Sequence, residues 1–395
     1  MAQTKNNIPQ IRFKGFYDEW EDIILADVCD FSKGKGYSKS DLTEKGVPIV
    51  LYGRLYTKYQ TEILDVDTFV NVKENAVLSQ GNEIVIPASG ETAEDISRAS
   101  VIKKKGIILG GDLNVLKLNN NFNSTFLALS ISNGNVQKEL SKKAQGKSVV
   151  HIHNSDIREL CVSFPIDSQE QNLIVSFFRT LDTLITTRQK KLESLKNLKK
   201  ACLVKMFPQN GSKVPEIRFK GFSGEWEEKK LGEISKIVKG EQLNVKDMTE
   251  NGTYYVLNGG ITPSGYTNSF NTDKNTISIS EGGNSCGYVN FNNCKFWSGG
   301  HNYTIKHIAD FIQNEYLYHY LKNIEPFIMS KRVGSGLPNI QKTALQNIKV
   351  IYSSLSEQTA IANYFQNFDK LISTQEQEIE KLQNLKKACL DKMFV

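Results

Sequence analysis

The sequence holds few residues whose types and spacing could support catalysis. Gly146-Lys147-Ser148 is similar to the end of a P-loop, a motif whose backbone N–H groups and lysine hold nucleotide phosphates. A P-loop has another glycine on the N-terminal side, in the pattern G-x-x-x-x-G-K-[ST], and Ser141 occupies that position. Nucleotide binding is therefore not expected. The chain also lacks a Pro-Pro pair, so the D/N-P-P-Y/F motif of adenine methyltransferases does not occur.

Metal binding has equally little support. His151 and His153 would lie on one face of a strand, because side chains alternate between faces, and there they could chelate a metal. No third ligand is apparent near them. Cys286 and Cys294 lack the spacing of zinc ligands. No metal site is predicted.

If the chain contacts a polyanion such as DNA, cationic and polar side chains are the candidates for that contact. Phosphates are neutralised by Lys and Arg, and bases are read in the major groove by Arg, Lys, Asn and Gln. Cations precede a Gly-rich loop in both halves of the chain. The candidate residues are Lys33, Lys35, Lys103, Lys104, Lys105, Lys142, Lys143, Lys147, Lys239, His301, Asn302, Tyr303, Lys331 and Arg332. For each of these residues, the competing interpretation is a solvated surface side chain. His301, Asn302 and Tyr303 could instead cap a strand.

Composition permits such a partner without requiring it. The chain has 395 residues, a net charge of +6 and a pI near 8.7, a mild basicity that suits a polyanionic ligand. Six cysteines occur singly, which fits a reducing compartment better than a disulfide framework. No apolar run approaches the length of a membrane span. We therefore expect a cytoplasmic protein of two or three domains that does not contact a membrane.

Two long segments are the elements that must position these residues. Leu198-Lys199-Lys200-Ala201-Cys202-Leu203-Val204-Lys205-Met206-Phe207 returns as 385–394 with Asp391 in place of Val204. Apolar residues in both segments recur at helical spacing, which predicts two amphipathic helices with a narrow seam. The predicted seam residues are Leu181, Ile185, Leu192, Leu195, Cys202, Met206, Phe368, Ile372, Ile379, Leu382, Cys389 and Met393. The helices could pair with each other or pack separately inside their own domains.

Other motifs are also duplicated. Ile11-Arg12-Phe13-Lys14-Gly15-Phe16 returns at 217–222, and each copy is followed by a tryptophan. Gly146 to Ile152 aligns with Gly334 to Ile340, and a Ser-Glu-Gln pattern near 168 returns at 356–358. Short β-like runs and glycine clusters between these motifs indicate two variable α+β domains. The order of parts is therefore repeated almost end to end.

These duplicated openings, Gly-rich loops, Ser-Glu-Gln helix starts and L-K-K-A-C-L-x-K-M-F tails resemble those of the specificity subunit of Type I restriction-modification systems. The resemblance implies an α+β fold with two α/β target-recognition domains separated by two long antiparallel helices, coiled-coil-like, in a pseudo-two-fold internal repeat. The expected segments are a first recognition domain at 1–165, a central helical region at 166–207, a linker at 208–214, a second recognition domain at 215–353 and a distal helical region at 354–395.

The resemblance further implies a non-catalytic role in bacterial defence. Such a subunit reads a bipartite site in double-stranded DNA and binds two methyltransferase (M) subunits and restriction (R) subunits. No cofactor is expected in this chain; S-adenosylmethionine would belong to the M subunit, and ATP and Mg to the R subunit. A helix from Leu181 to Met206 would span about 39 Å at about 1.5 Å per residue, near the roughly 34–36 Å between half-sites one DNA turn apart. The alternatives are a methyltransferase or nuclease with atypical motifs, and a coiled-coil adaptor without sequence specificity.

Overall fold

A computed structural model describes residues 7–119, 122–146, 148–209, 211–334 and 336–395. The chain forms two compact units, Met1–Arg188 with Glu378–Val395 (unit 1) and Gln189–Gln377 (unit 2). Both units combine short strands with helices, so the α+β class expected from the sequence is confirmed. In the described part of the chain, no helix is long and apolar enough to cross a membrane.

Unit 1 is built mainly from short strands. They are β1 (Glu21–Ile24), β2 (Cys29–Lys33), β3 (Leu42–Thr43), β4 (Val47–Val50), β5 (Glu62–Ile63), β6 (Phe69–Val70), β7 (Glu83–Pro87), β8 (Ser89–Gly90), β9 (Ser100–Ile102), β10 (Ile108–Leu109), β11 (Leu113–Leu118), β12 (Val150–His151) and β13 (Cys161–Phe164). The main sheet has the order β2-β11-β7-β9-β5, and a second sheet has the order β10-β4-β6-β3. The pairs β1-β13 and β8-β12 are separate two-stranded ribbons.

Unit 1 also contains short helices and the first part of a long one. They are α1 (Leu25–Val28), α2 (Arg54–Thr57), α3 (Ala93–Ile96), α4 (Ser124–Ile131), α5 (Gly134–Lys143), α6 (Asn154–Arg158) and the long α7 (Ser168–Met206), with a 3₁₀ turn at Lys39–Asp41. Every residue of α4 after Ser124 is buried. The all-round burial of α4 explains why the sequence shows no amphipathic pattern there.

Unit 2 repeats this plan with fewer strands. Its strands are β14 (Glu227–Lys230), β15 (Lys236–Lys239), β16 (Tyr254–Leu257), β17 (Gly265–Thr267), β18 (Thr276–Ser280), β19 (Val289–Asn292), β20 (Trp297–Ser298), β21 (Asn302–Lys306) and β22 (Lys349–Tyr352). Its helices are α8 (Leu231–Ile234), α9 (Asn314–Asn323), α10 (Glu325–Ser330), α11 (Lys342–Gln346) and the long α12 (Leu355–Met393), with a 3₁₀ turn at Val245–Asp247. The sheet order β15-β21-β18-β19 corresponds to β2-β11-β7-β9 of unit 1.

The two long helices run antiparallel within each unit. In unit 1 the Lys386 Nζ lies 2.5 Å from Asp182 Oδ1, and Arg188 pairs with Glu378 at 2.7 Å. In unit 2 the corresponding ion pairs are Lys199–Asp369 and Lys196–Glu376. Residue numbers rise on one helix as they fall on the other, so the antiparallel pairing expected from the resemblance is present. Every residue of the predicted seam is buried or half-buried.

The repeated helix tails end in opposite units. Phe394, after α12, packs in the core of unit 1 with ring centroids 6.5 Å from Trp20 and 5.7 Å from Phe126. Phe207, after α7, packs in the core of unit 2 with centroids 6.3 Å from Trp226 and 5.5 Å from Tyr316. Each tail therefore completes the unit that begins with the opening motif of the other repeat.

The Ser-Glu-Gln motif fastens each long helix to its unit. The Gln171 side chain accepts a hydrogen bond from the backbone N–H of Asn123, the residue that caps α4. The Gln358 side chain does the same for Gln313, which caps α9. The N-terminal ends of α4 and α9 are therefore held by equivalent contacts, and this motif has a structural role in both repeats.

Candidate nucleic-acid interface

Both units bring polar residues together at one end of the main sheet, where some strands end and their neighbours begin. In unit 1, β2 ends at Lys33 beside the start of β11, where Lys33 is paired with Asn114. In unit 2, β15 ends at Lys239 beside the start of β21, where Lys239 is paired with Tyr303. Lys33 and Lys239 are both exposed. We call the backbone at this end of the sheet, together with the Gly-rich loop packed against it, the strand-edge frame.

The strand-edge frame is held by the same hydrogen bonds in both units. Gly34 N–H donates to Leu113 O at 3.0 Å, and Gly240 N–H donates to Asn302 O at 2.8 Å. A Cβ on Gly34 would lie 1.9 Å from Gly110 O, and one on Gly240 would lie 2.2 Å from Gly299 O. Both positions therefore require glycine, because the backbones approach too closely for any side chain.

The Gly-rich loops are closed in the same way. Gln145 and His151 exchange two backbone hydrogen bonds of 3.0 and 2.8 Å, and Val333 and Asn339 exchange two of 2.8 and 2.9 Å. Each loop is then tied to the sheet through the next residue. Ile152 N–H donates to Ala88 O at 3.0 Å in unit 1, and Ile340 N–H donates to Glu281 O at 2.8 Å in unit 2. The loop alignment made from the sequence thus corresponds to a shared geometry.

The side chains on this common frame differ between the units. Ala88 N–H donates to Asp112 O, and Glu281 N–H donates to His301 O, so Ala88 matches Glu281 and Asp112 matches His301. Asp112 and His301 are both exposed, whereas Ala88 and Glu281 are buried. One backbone arrangement therefore presents two different sets of functional groups.

Glu281 organises the frame of unit 2. Its carboxylate accepts hydrogen bonds from Lys239 Nζ at 2.6 Å and from the Tyr303 hydroxyl at 2.9 Å. His301 Nδ1 lies 3.5 Å from the other carboxylate oxygen, which is buried and has no hydrogen-bond partner. Burial, with the hydrogen bond to Glu281, raises the pKa of Tyr303 above its usual range, so the phenol stays protonated. The carboxylate thus holds the exposed Lys239 and lies close to the exposed His301.

The other candidate residues differ in how far they are buried. Asn302 and Tyr303 are buried at the start of β21, where Asn302 donates to Ser298 Oγ. Lys35 follows Lys33 and is exposed, as are Lys331 and Arg332 before the second loop. Lys331 Nζ lies 4.3 Å from the centroid of the Phe327 ring.

Before the first loop, Lys142 is exposed, and Lys143 pairs with Glu159 at 2.5 Å. Lys147 lies outside the described residues.

The basic run at 103–105 lies away from the strand-edge frame. It follows β9, whose last residue is paired with Glu83 at the start of β7, whereas the frame is at the end of β7. Lys103 donates to Asn82 and Lys104 to Asp65, both at 2.6 Å, while Lys105 is exposed. These lysines therefore follow a strand of the sheet that contains Lys33, but at the opposite end of that sheet.

The prediction that His151 and His153 lie on one face of a strand is wrong. The strand ends at His151, and His153 precedes α6, with its backbone N–H donating to Asp156. The end of β12 and the start of α6 therefore break the alternation that the interpretation required. Over the described ranges, no group of three or more His, Cys, Asp or Glu side chains is arranged to hold a metal.

Sequence reasoning missed Asp112 and Glu281 and two loop residues, Val149 and Leu337. The loop residues could have been found, because the aligned loops place Val149 opposite Leu337 and both side chains are exposed. Glu281 carried no such signal. Its role depends on Lys239 and Tyr303, which are distant in sequence and meet it only across the sheet.

The fold and the repeated frame define a duplicated α+β protein. A family profile for the type I restriction modification DNA specificity domain matches residues 17–197 and 223–384, one range in each repeat. These ranges cover most of the chain, which therefore belongs to the type I restriction-modification DNA specificity family. The curated relatives that match this chain are named specificity subunits.

Individual relatives agree with this assignment. A type I specificity subunit of Mycoplasma pneumoniae is 34% identical over 171 residues, which cover 43% of this chain and 45% of that relative, so the match spans less than half of either. The MjaX specificity subunit of Methanocaldococcus jannaschii is 24% identical over 398 residues, covering 95% of this chain and 92% of that relative. The crystal structure of a Type-I S subunit from M. genitalium has a TM-score of 0.70 at 19% identity, covering 98% and 99%. It has the same fold.

Proposed function

We propose that the chain recognises a bipartite DNA site within a Type I restriction-modification complex and scaffolds its M and R subunits. The observation that carries the proposal is the strand-edge frame, which occurs in both units with different exposed side chains, Asp112 in one and His301 in the other. Two unlike sets of groups on one backbone suit two unlike half-sites. A palindromic site would need only one set.

Cations at the strand-edge frame would hold the DNA backbone. Lys33 and Lys239 occupy equivalent exposed positions, and exposed Lys142, Lys331 and Arg332 precede the loops. Phosphate contacts set register and orientation, whereas groups directed at base edges carry sequence information. We assign the first role to these cations and the second to the exposed variable positions. Asn302 and Tyr303 would support the frame from within the sheet.

The long helices would carry the M subunits. Leu184 and Leu371 occupy the same position in the two repeats, as do Leu198 and Leu385, and all four remain about half exposed. Leucines exposed at the same positions in both repeats support an interaction surface on these helices. Leu184→Glu with Leu371→Glu should weaken M binding, measured by calorimetry. Leu64→Glu is the matched control, because this exposed leucine lies outside the long helices.

The chemistry would belong to the partners. M subunits would use S-adenosylmethionine to methylate an adenine that is turned out of the duplex, since a base inside the helix is out of reach of an active site. ATP and Mg would serve the R subunits. The chain itself would supply position and sequence choice and would need no cofactor.

Reconstitution tests the proposal. The purified chain alone should neither methylate nor cleave DNA, and addition of M subunits and S-adenosylmethionine should produce methylation at one split sequence, located by methylome sequencing. Methylation by the chain alone would favour an atypical enzyme. A reconstituted complex whose footprint is equally strong on random DNA would favour an adaptor without specificity.

A salt titration tests the phosphate assignment. Lys239→Ala should weaken binding on specific and random DNA alike and reduce the slope of log affinity against log salt by about 1. Lys236→Ala is the matched control, because Lys236 is exposed on the same strand but at its other end. Equal slopes for wild type and Lys239→Ala would show that Lys239 does not contact a DNA phosphate.

A further inference from the structure

We infer that the tips of the two Gly-rich loops read thymine methyl groups, Val149 in one half-site and Leu337 in the other; this deepens the proposed function and rests on it. The Val149 side chain is 49% exposed and the Leu337 side chain 87%. They hold equivalent places, each two residues before the residue that closes its loop, His151 or Asn339. An isolated exposed leucine needs no explanation, but the same exposure at the same place in both repeats does.

Backbone contacts of the described loop residues restrain these tips. The closing pairs, Gln145 with His151 and Val333 with Asn339, fix both ends of each loop. Gly146 adopts a φ of +139°, and a Cβ there would lie 1.9 Å from Val149 O. The carbonyl of the tip residue therefore packs back onto the base of the first loop. A tip held in this way loses less conformational entropy on binding than a free segment would.

The surroundings of the tips favour nucleic acid over another apolar partner. Exposed Lys142 precedes the first loop, and exposed Lys331 and Arg332 precede the second. The loops are tied to the strand-edge frame, where Lys33 and Lys239 are exposed. Cations that precede the loops, and those on the strand-edge frame, would meet phosphates while the apolar tip enters the groove. In the major groove the apolar feature of a base pair is the C5 methyl group of thymine.

Each half-site should therefore contain one thymine whose methyl group matters. Replacing that thymine by uracil removes the methyl and leaves base pairing unchanged. The wild-type complex should bind the substituted duplex about four-fold more weakly, the equivalent of about 0.8 kcal/mol for one buried carbon group. The effect should appear once per half-site, since each loop has one tip.

The experiment uses the full chain reconstituted with M subunits on its methylome-defined target. Thymines are replaced by uracil one at a time, and affinity is measured by fluorescence anisotropy for wild type, Leu337→Ala and Val149→Ala. Leu337→Ala should abolish the uracil effect in one half-site and retain it in the other, and Val149→Ala should do the reverse. Each half-site thus controls for the other, and both exposed positions tolerate alanine without loss of core packing.

Two results would overturn the inference. If both variants retain every uracil effect, Val149 and Leu337 do not contact the thymine methyl groups. A uniform loss of affinity on all duplexes, including random DNA, would make the tips backbone contacts. The proposed function fails separately: a wild-type complex that methylates no specific sequence would refute it before any loop variant is compared.

Discussion

The Arg12 guanidinium and the Glu170 carboxylate form a two-point ion pair, with Nε–Oε1 and Nη2–Oε2 distances of 2.7 and 2.8 Å. Arg218 and Glu357 form the same pair at the same distances in unit 2. The hydrogen bond to Glu170 raises the pKa of Arg12. Each pair joins the opening motif of a unit to the start of a long helix, which explains why both motifs are duplicated together.

Removing one partner of this pair should destabilise unit 1. Glu170 is 1% exposed and the Arg12 side chain 11%, so Arg12→Ala leaves a buried carboxylate unpaired, at a cost of about 3–5 kcal/mol. Urea denaturation measures the change. Lys205→Ala is the control, because its pair with Glu216 is exposed and should contribute nothing measurable. Equal stabilities of wild type and Arg12→Ala would contradict the assigned role.

Substitution of a glycine at the strand-edge frame should destabilise the protein. Gly240→Ala would place a Cβ 2.2 Å from Gly299 O, and relief of that clash should cost about 1–3 kcal/mol. It should also impair reading of the half-site assigned to unit 2 while leaving the other half-site unchanged. Gly336→Ala, whose Cβ would meet nothing within 4 Å, should retain wild-type stability in thermal unfolding. A fully stable Gly240→Ala protein would show that the close approach is not required.

Stability should fall on mild acidification because of His319. Burial, together with the charge of Lys199, lowers the pKa of His319 to about 3. The unfolded chain binds a proton near pH 6.5, but the folded chain does not, so stability present above that pH is lost as the pH falls. Between pH 7.5 and 5.5 the loss should be about 1.4 kcal/mol, measured by urea denaturation at both values.

His319→Leu should remove this loss. Asn123 and Gln313 are equivalent caps, and counting from them places buried Leu129 at the position of His319. Leucine also lacks a buried nitrogen like His319 Nδ1, which has no hydrogen-bond partner. His307→Gln, a change at an exposed residue, should keep the loss. An unchanged pH dependence in His319→Leu would assign it to other groups.

A fragment of residues 1–214 should form a dimer. The core of unit 1 includes the tail residues Met393 and Phe394, which the fragment lacks, and the matching tail Met206-Phe207 of a second copy can fill their place. With M subunits, such a dimer should specify a palindrome of the first half-site. Sedimentation measures assembly, and Phe207→Ala should weaken it. A soluble fragment that stays monomeric at micromolar concentration would contradict the prediction.

Lengthening both long helices should lengthen the DNA spacer. Insertion of four helix-forming residues after Gln189 and after Gln375 adds about 6 Å to each helix, close to the rise of one to two base pairs. The insertion is a stutter, which locally unwinds the seam without removing its apolar face. Methylome sequencing should show a longer spacer between unchanged half-sites. An active variant with the original spacer would show that the M subunits set the separation.

Local and periodic features could be read from the sequence. The tails near Met206 and Met393 and the openings at Arg12 and Arg218 are near-identical copies, and repetition is visible without coordinates. The long helices follow from apolar residues at helical spacing. The Gly-rich loops could be aligned because glycine marks backbone conformations that other residues rarely adopt. Fold class and family therefore follow from patterns that each segment carries by itself.

Tertiary structure alone decided which residues meet. Nothing in the periodicity of α12 indicates that Phe394 enters the core containing Trp20, because an amphipathic helix specifies an apolar face and not its partner. The candidate site had the same limit. Lys239 and Tyr303 lie on two neighbouring strands and Glu281 directly follows a third, so sheet register determines their contact. Burial removed Tyr303 from the surface and left Leu337 exposed, since solvent exposure depends on packing between distant segments and not on residue type.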